Sequence, residues 1–209
     1  CWILCKPDGT TRTERYWDAF GNADAARHIS DEEASEGIMA CLDESIKYRG
    51  VSDVPVGVFL SGGVDSSTNL ALLSKHFSTP PKSFSIGYGL DAPTCPSELE
   101  YAREMVAFVG GEGFERELTA DDLLGFMDRM IELQDEPIAD AVCFPVHFVS
   151  ALAKSHNVTV CQVGEGADEL FCGYASWESS LRRQQRMSSP LLRVINRTGL
   201  GLLSMIGRQ

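Results

Sequence analysis

Short apolar runs alternate with amphipathic stretches along most of the chain. The runs that predict strands are Val54–Leu60, Phe84–Tyr88 and Asn157–Val163. The stretches between them carry apolar residues at helical spacing and predict helices over 30–50, 64–77, 97–108 and 120–133, a helix with Pro145 in its first turn that ends near 156, and another after 164–169. Continuous apolar strands that alternate with helices are typical of a parallel α/β sheet flanked by helices.

Capping signals mark the ends of several of these helices. Ser30 with Glu33, and Ser97 with Glu100, have the spacing of a capping box, in which each residue satisfies a backbone N–H group of the other. Gly50 follows the first helix, where glycine commonly ends one. The helix starts are therefore placed at residues 30 and 97.

Composition and charge narrow the classes of protein that fit. The chain has 209 residues with 44% apolar and 23% charged residues, values typical of a globular domain. Its formal net charge is −12, which argues against a nucleic-acid-binding protein, because phosphate binding needs clustered Lys and Arg. The segment from Ser176 onward holds six Arg and one Glu, so it is basic while the rest is strongly acidic.

The cysteines and the apolar runs indicate a cytoplasmic protein. The seven cysteines are odd in number and widely spaced, and no CxxC pair occurs. That usage favours free thiols in a reducing compartment, several of them buried in apolar runs, over disulfides or a zinc site. No apolar run approaches the roughly 20 residues of a membrane span. The basic, apolar tail 188–209 is expected to pack against further parts of the same enzyme rather than to lie on a membrane surface.

The strongest chemical signal is the segment Ser61-Gly62-Gly63-Val64-Asp65-Ser66 between a predicted strand and a predicted helix. Two glycines let the backbone approach a phosphate, the helix N-terminus offers free N–H groups, and the serines add hydroxyl donors. No GxxxxGK[ST] motif is present, so the phosphate charge needs another partner. Asp65 and Asp168, each after a predicted strand, could share Mg²⁺ with phosphates.

Each of these signals also has a structural interpretation. The Gly-Gly segment could be an ordinary turn, and Glu165 could be a charge that stabilises a helix N-terminus. Asp168 could be a solvated residue in a first helical turn, and Ile86 could be a core residue.

Several ordered motifs resemble the glutamine-dependent asparagine synthetases of the ATP pyrophosphatase (PP-loop) superfamily. The segment Ser61–Ser66 resembles the pyrophosphate loop, and Val163–Tyr174 resembles the second synthetase signature. Three further segments fit the same family, namely Tyr16–Asp18, Phe84–Gly87 and Asp135–Pro137. The resemblance covers roughly residues 14–175 and implies an adenine nucleotide alpha-hydrolase-like fold, with a parallel sheet flanked by helices.

The resemblance implies an ATP-dependent amide-forming ligase. Such an enzyme adenylates a carboxylate, here expected to be aspartate, releases pyrophosphate and then amidates the carboxylate with ammonia derived from glutamine. It implies that the departing phosphates are held by Ser61, Gly62, Gly63, Asp65 and Ser66, and that the adenosine pocket is lined by Leu60, Ile86 and Gly164. It further implies that Mg²⁺ is bound by Asp65 and Asp168, and that the catalytic residues are Glu165, beside the acyl-adenylate, and Asp168.

The resemblance also predicts the domain organisation. Residues 1–29 are expected to be a linker from an N-terminal glutaminase domain, 30–175 the ATP-binding synthetase domain, and 176–209 the start of a C-terminal helical part. The family's catalytic lysine lies downstream of the second signature, whereas the last lysine here is Lys154, so truncation at both ends is expected. Val163 and Cys172 stand where many members have Ser and Gly. A homodimer is compatible with the same resemblance.

Two alternatives remain open at this point. One is another ligase of the superfamily that uses a different carboxylate. The other is a nucleotide-binding or interaction module without catalysis.

Overall fold

A computed structural model describes residues 1–18, 21, 28–89, 98–136, 138 and 140–187, and the chain divides into two compact units, 1–45 and 46–209. The first unit contains an antiparallel hairpin of β1 (Trp2–Cys5) and β2 (Thr11–Glu14), in which Trp2 lies opposite Glu14. It also contains the larger part of helix α1 (Asp31–Arg49).

The sequence analysis did not predict the hairpin within residues 1–29, and the assignment of that segment as a linker stays a prediction. Gly9 has φ +82° in the turn, and the Asp8 carboxylate accepts a hydrogen bond from the Thr10 N–H at 2.9 Å. Every residue of both strands is exposed, so no apolar alternation marks them in the sequence. The remaining described residues of this segment contain no strand, and the domain limits at 29 and 175 stay predictions.

The predicted start of α1 is confirmed. The Glu33 N–H donates to Ser30 Oγ at 3.2 Å, and the Ser30 N–H donates to Glu33 Oε2 at 2.9 Å. At the other end the Gly50 N–H donates to the Ile46 carbonyl at 2.9 Å. The second predicted capping box includes Ser97, which lies outside the described residues.

The second unit is a parallel sheet flanked by helices, as predicted. Its strands are β3 (Val56–Phe59), β4 (Ser83–Tyr88), β5 (Gly113–Leu118) and β6 (Val160–Gln162), in the spatial order β5-β4-β3-β6. Every neighbouring pair is parallel. Its helices are α2 (Val64–His76), α3 (Leu99–Val109), α4 (Ala120–Leu133), α5 (Cys143–Ser155), α6 (Ala167–Phe171) and α7 (Ala175–Met187).

Apolar residues cover both faces of this sheet. On one face Val58 and Leu60 pack with Leu70 and Leu73 of α2 and with Ala102 of α3. On the other face, residues of β4, α4 and α5 form two further clusters that contain Phe84, Phe126, Phe148 and Val149. Burial on both faces explains why β3 appears in the sequence as a continuous apolar run.

Strand β5 was missed because it lies at the sheet edge and because the charged Arg116 shares a face with the apolar Phe114 and Leu118. Phe114 and Leu118 face the core, while Glu115 accepts hydrogen bonds from Arg103 of α3 at 2.6–3.1 Å. Period-two alternation was the available signal. The helix that follows begins with a capping box of Thr119 and Asp122, which was also missed.

No helix in the described part of the chain is both long enough and apolar enough to cross a membrane.

Candidate functional site

The strand order creates one topological switch point in the described sheet, between β3 and β6. From β3 the chain proceeds outward through β4 to β5, whereas β6 lies on the opposite side of β3. Ligands of open α/β sheets bind at the carboxyl ends of the strands beside such a switch point. Two segments lie there: the first loop, residues 60–66 after β3, and the second loop, residues 163–174 after β6.

Hydrogen bonds between its own residues hold the first loop. The Ser66 hydroxyl accepts from the Ser61 N–H at 3.2 Å, donates to the Gly63 carbonyl at 3.3 Å and lies 3.0 Å from Ser61 Oγ. The Gly63 N–H donates to Ser61 Oγ at 3.2 Å. Both serines predicted to contact phosphate are therefore in one cluster at the start of α2.

The glycines of the first loop meet two different requirements. Gly62 has φ +88°, and a Cβ atom there would lie 2.6 Å from the Glu98 carbonyl oxygen at the start of α3. Gly63 is the N-cap of α2 and has no side chain to bond the first N–H groups of the helix. An anion at this end would therefore find N–H donors and the positive end of the helix dipole.

The two loops touch each other at Gly164. A Cβ atom on Gly164 would lie 2.9 Å from the Asp65 carbonyl carbon and 2.9 Å from the Ser66 nitrogen. Glycine is thus required here by the close approach of the two backbones. This contact brings the predicted residues of both signatures to one place.

Two adjoining clefts surround that contact, and Gly164 and Glu165 line both of them. The acidic cleft, of about 480 Å³, is lined by Asp65, Glu165, Asp168, Glu169 and Tyr174 among others. The apolar cleft, of about 570 Å³, includes Leu60, Ser61, Ser66, Ile86, Val146 and Val149. Gly62 and Gly63 lie in the turn itself rather than on the wall of either cleft.

Every residue predicted for the site thus lies at this edge of the sheet. Leu60 and Ile86 belong to the apolar wall, which also includes α5 residues that the sequence analysis did not single out. Asp135 and Glu136 follow α4 and line neither cleft, and Pro137 lies outside the described residues. The roles assigned to the site residues stay predictions.

Tyr174 and Glu169 form a hydrogen-bonded pair in the acidic cleft that sequence reasoning gave no role. The Tyr174 hydroxyl donates to Glu169 Oε1 at 2.7 Å. This bond lowers the pKa of Glu169, because it stabilises the carboxylate. The same bond, with partial burial and the charges of Glu169, Asp168 and Glu165, raises the pKa of Tyr174 to about 12. The only prior signal was the position of both residues in the second signature.

The donor chemistry of the acidic cleft fits Mg²⁺. Asp65 and Asp168 supply hard carboxylate oxygens, the ligands that Mg²⁺ takes alongside phosphates and water. Within the described residues no group of three or more His, Cys, Asp or Glu side chains is arranged to hold a metal ion. The arrangement suits a cation bound by one or two carboxylates together with a phosphate ligand.

The cysteines agree only in part with the sequence analysis. The six within the described residues are free, as expected, but only Cys143 and Cys161 are even half-buried and the other four are exposed. Cys95 lies outside the described residues. Partial burial raises the pKa of the Cys161 thiol to about 11.

Comparison with known proteins identifies the family. The family model described as asparagine synthase matches residues 37–204. Asparagine synthetase 1 of Bacillus subtilis is 33% identical over 192 residues, which cover 91% of this chain and 29% of that protein. A putative asparagine synthetase of Mycobacterium tuberculosis is 32% identical over 181 residues, 86% of this chain and 27% of that protein.

A more distant relative carries a different name. The amidase chyE of Penicillium rubens is 24% identical over 223 aligned residues, which cover 100% of this chain and 33% of that protein. The chain thus spans 27–33% of the length of these three relatives. With two signatures adjoining at one sheet edge and a family match across most of its length, the chain belongs to the asparagine synthase family.

Proposed function

We propose that this chain is the ATP-binding part of a ligase that activates a carboxylate by adenylation. The observation that carries the proposal is the contact at Gly164, which joins the serine-glycine turn to the acidic cleft at the switch point of the sheet. A nucleotide lying across that contact would meet apolar surface on one side and carboxylates on the other.

The two clefts suit different parts of ATP. Leu60 and Ile86 offer apolar surface for the adenine, and Gly164 allows the backbone to approach the ribose. The Ser61 and Ser66 hydroxyls and the N-terminus of α2 would hold the phosphates that leave as pyrophosphate. The hydrogen bonds within the first loop support this placement, because they hold the two serine hydroxyls 3.0 Å apart at the start of α2.

Asp65 and Asp168 would hold Mg²⁺ in the acidic cleft. When bound, the cation neutralises phosphate charge, which otherwise would be repelled by these carboxylates. Asp65 lies in the first turn of α2 and Asp168 in the first turn of α6, so each side of the switch point contributes one carboxylate.

Glu165 lines both clefts and is proposed to act at their junction. In adenylation a substrate carboxylate oxygen bonds to the α-phosphorus, and the bond from that phosphorus to the bridging oxygen breaks as pyrophosphate leaves. Ammonia then attacks the activated carbonyl carbon, AMP leaves, and a proton is lost from the nitrogen. The Glu165 carboxylate is an acceptor of the kind that would orient the ammonia and take that proton.

Aspartate is the proposed substrate, and ammonia from glutamine the proposed nitrogen source. The names of the Bacillus subtilis and Mycobacterium tuberculosis relatives, both glutamine-hydrolysing asparagine synthetases, support this assignment. A glutaminase domain in the complete protein and a homodimer remain part of the proposal. The free thiols of the described residues favour a cytoplasmic location.

A ligase with a different carboxylate substrate is the second candidate. The match to the amidase chyE, whose alignment takes in all of this chain, is the observation that favours it.

The experiment is an acid-dependent ATP–pyrophosphate exchange assay with MgATP and a panel of carboxylic acids, followed by addition of ammonium. Exchange with aspartate, and loss of amide formation in Glu165→Gln, would support the first proposal. Exchange with another acid but not aspartate would favour the second candidate. No exchange with any acid by a chain that binds MgATP would contradict a ligase function for this chain.

A further inference from the structure

The second loop turns back on itself immediately after the acidic residues of α6. Helix α6 has only five residues, Ala167–Phe171, and Cys172 ends it in the left-handed region with φ +58°. The Gly173 N–H then donates to the Asp168 carbonyl at 3.0 Å. The chain that leaves α6 is therefore hydrogen-bonded to the same residue that is proposed to bind the metal.

Gly173 also contacts the carboxylate of that residue. A Cβ atom on Gly173 would lie 1.9 Å from Asp168 Oδ1 and 2.9 Å from Asp168 Cγ. Gly173 does not have a positive φ angle, so its backbone conformation is open to other residues. A side chain at 173 would therefore displace the Asp168 carboxylate, because that carboxylate occupies the place of a Cβ atom.

Tyr174 is hydrogen-bonded to the carboxylate of Glu169, the residue after Asp168. Its hydroxyl donates to Glu169 Oε1 at 2.7 Å, and its ring lies 5.4 Å from that of Trp177, so the phenol is held from the α7 side. Glu169 and Tyr174 both line the acidic cleft with Asp65 and Asp168. Without the phenol, the Glu169 carboxylate would be free to compete with Asp168 for a cation.

We infer that Gly173 and Tyr174 are positioning residues for the metal: Gly173 leaves the Asp168 carboxylate its place, and Tyr174 holds the Glu169 carboxylate away from the cation. The inference rests on the proposed function, because it assumes that Asp168 binds the Mg²⁺ of MgATP. It goes beyond that function in assigning two residues, neither of them a ligand, to the choice and affinity of the ion.

The test measures binding of an ATP analogue with a fluorescent ribose label to the 209-residue chain. It compares Gly173→Ala and Tyr174→Phe with the wild type over a range of Mg²⁺, over a range of Ca²⁺, and with chelator. Gly125→Ala is the matched control, since a Cβ atom there meets nothing within 4 Å. Thermal unfolding without metal or nucleotide measures any purely structural effect.

In Gly173→Ala the half-saturating Mg²⁺ concentration should rise about tenfold, as for changes behind a metal ligand, while nucleotide affinity in chelator stays unchanged. In Tyr174→Phe the preference for Mg²⁺ over Ca²⁺ should fall at least about threefold, because an added carboxylate suits the larger, more flexible coordination of Ca²⁺. Gly125→Ala should match the wild type in both respects.

Two results would overturn the inference. The first concerns a folded Gly173→Ala chain. It is either an unchanged half-saturating Mg²⁺ concentration, or a loss of nucleotide affinity that is as large in chelator as in Mg²⁺ and is therefore structural. The other, decisive if Gly173→Ala does not fold, is an unchanged ion preference in Tyr174→Phe. Absence of any Mg²⁺-dependent binding by the wild type would instead overturn the proposed function, and this inference with it.

Discussion

The two loops at the switch point differ in burial and in the interactions that hold them. In the first loop Leu60 is 1% exposed and Ser66 is 5% exposed, and serine hydroxyls bond three positions of the loop to one another. In the second loop Asp168 and the residues up to Tyr174 are all exposed, and the backbone enters the left-handed region at Gly166 and Cys172. Both ends of the first loop, Leu60 and Ser66, are packed into the core, whereas the second loop is held mainly by its own short turns.

Because of this difference, substitutions in the two loops should affect the stability of the fold and the affinity for ligands to different degrees. A change at Leu60 or Ser66 should lower both the stability of the fold and the affinity for nucleotide, because both side chains are buried and also line the apolar cleft. A change in the exposed part of the second loop should affect metal and nucleotide binding with little effect on folding. The following substitutions test that distinction.

The largest effect is expected at the contact between the loops. Gly164→Ala would place a Cβ atom 2.9 Å from backbone atoms of Asp65 and Ser66, so the loops must separate. A steric clash of this kind costs about 1–3 kcal/mol, so MgATP affinity should fall by about 10- to 100-fold. Fluorescence or calorimetric titration would measure it.

Gly166→Ala is the control for that substitution. It has φ +96° but no atom within 4 Å of the added Cβ, so it tests backbone strain without collision. The backbone strain of about 1–2 kcal/mol is present with and without nucleotide, so the effect on affinity should stay below about tenfold. Equal losses in the two variants would contradict the importance of the loop contact.

Ser66→Ala in the first loop and Asp168→Ala in the second compare how much each loop contributes to the free energy of unfolding. The first substitution leaves the Ser61 N–H without its acceptor in a part-buried turn, so the free energy of unfolding should fall by about 1–2 kcal/mol. Asp168→Ala, in the exposed turn of the second loop, should stay within about 0.5 kcal/mol of the wild type. Chemical denaturation of both variants would decide, and equal destabilisation would show that the loops are not different in this respect.

Cys172→Gly should stabilise the second loop. Cys172 has φ +58°, a conformation that favours glycine, so the free energy of unfolding should rise by about 0.5–1 kcal/mol. Cys41→Gly, in the interior of α1, should instead lower it by about 0.3 kcal/mol, because glycine is a slightly poorer helix former than cysteine. A loss of stability in Cys172→Gly would show that the thiol makes a contact worth more than the strain.

The fold class and the two signatures could be predicted from the sequence, whereas the local geometry around Cys172 could not. Both signatures were recognised because each follows an apolar strand, and the pattern of buried parallel strands predicted the fold class. The left-handed conformation of Cys172 and the contact between Gly173 and Asp168 depend on atomic distances, which no residue pattern contains. Strand β5 was missed because the charged Arg116 interrupts its alternation, and the β1–β2 hairpin was missed because neither of its strands alternates apolar with polar residues.

The smallest expected effect is a difference between the alkylation rates of two thiols, those of Cys161 and Cys172. Cys161 on β6 has a pKa raised to about 11 by partial burial, whereas Cys172 in the second loop is exposed. Because the thiolate is the reactive form, iodoacetamide at pH 8 should label Cys172 first, and labelling of Cys161 should increase as the pH rises toward 11. Mass spectrometry of the labelled peptides would measure both rates. Equal rates at pH 8 would contradict the contrast between the strand and the loop.

Calorimetric titration of the chain with MgATP is the most direct test of the central claim, that the two loops together form a Mg²⁺-dependent nucleotide site. The titration should be repeated without Mg²⁺ and with Asp65→Ala, whose substituted residue lines the acidic cleft. The account predicts saturable binding at one site, and much weaker binding in both controls. Equal binding without Mg²⁺ or in Asp65→Ala, or no binding by a chain that still unfolds cooperatively, would contradict it.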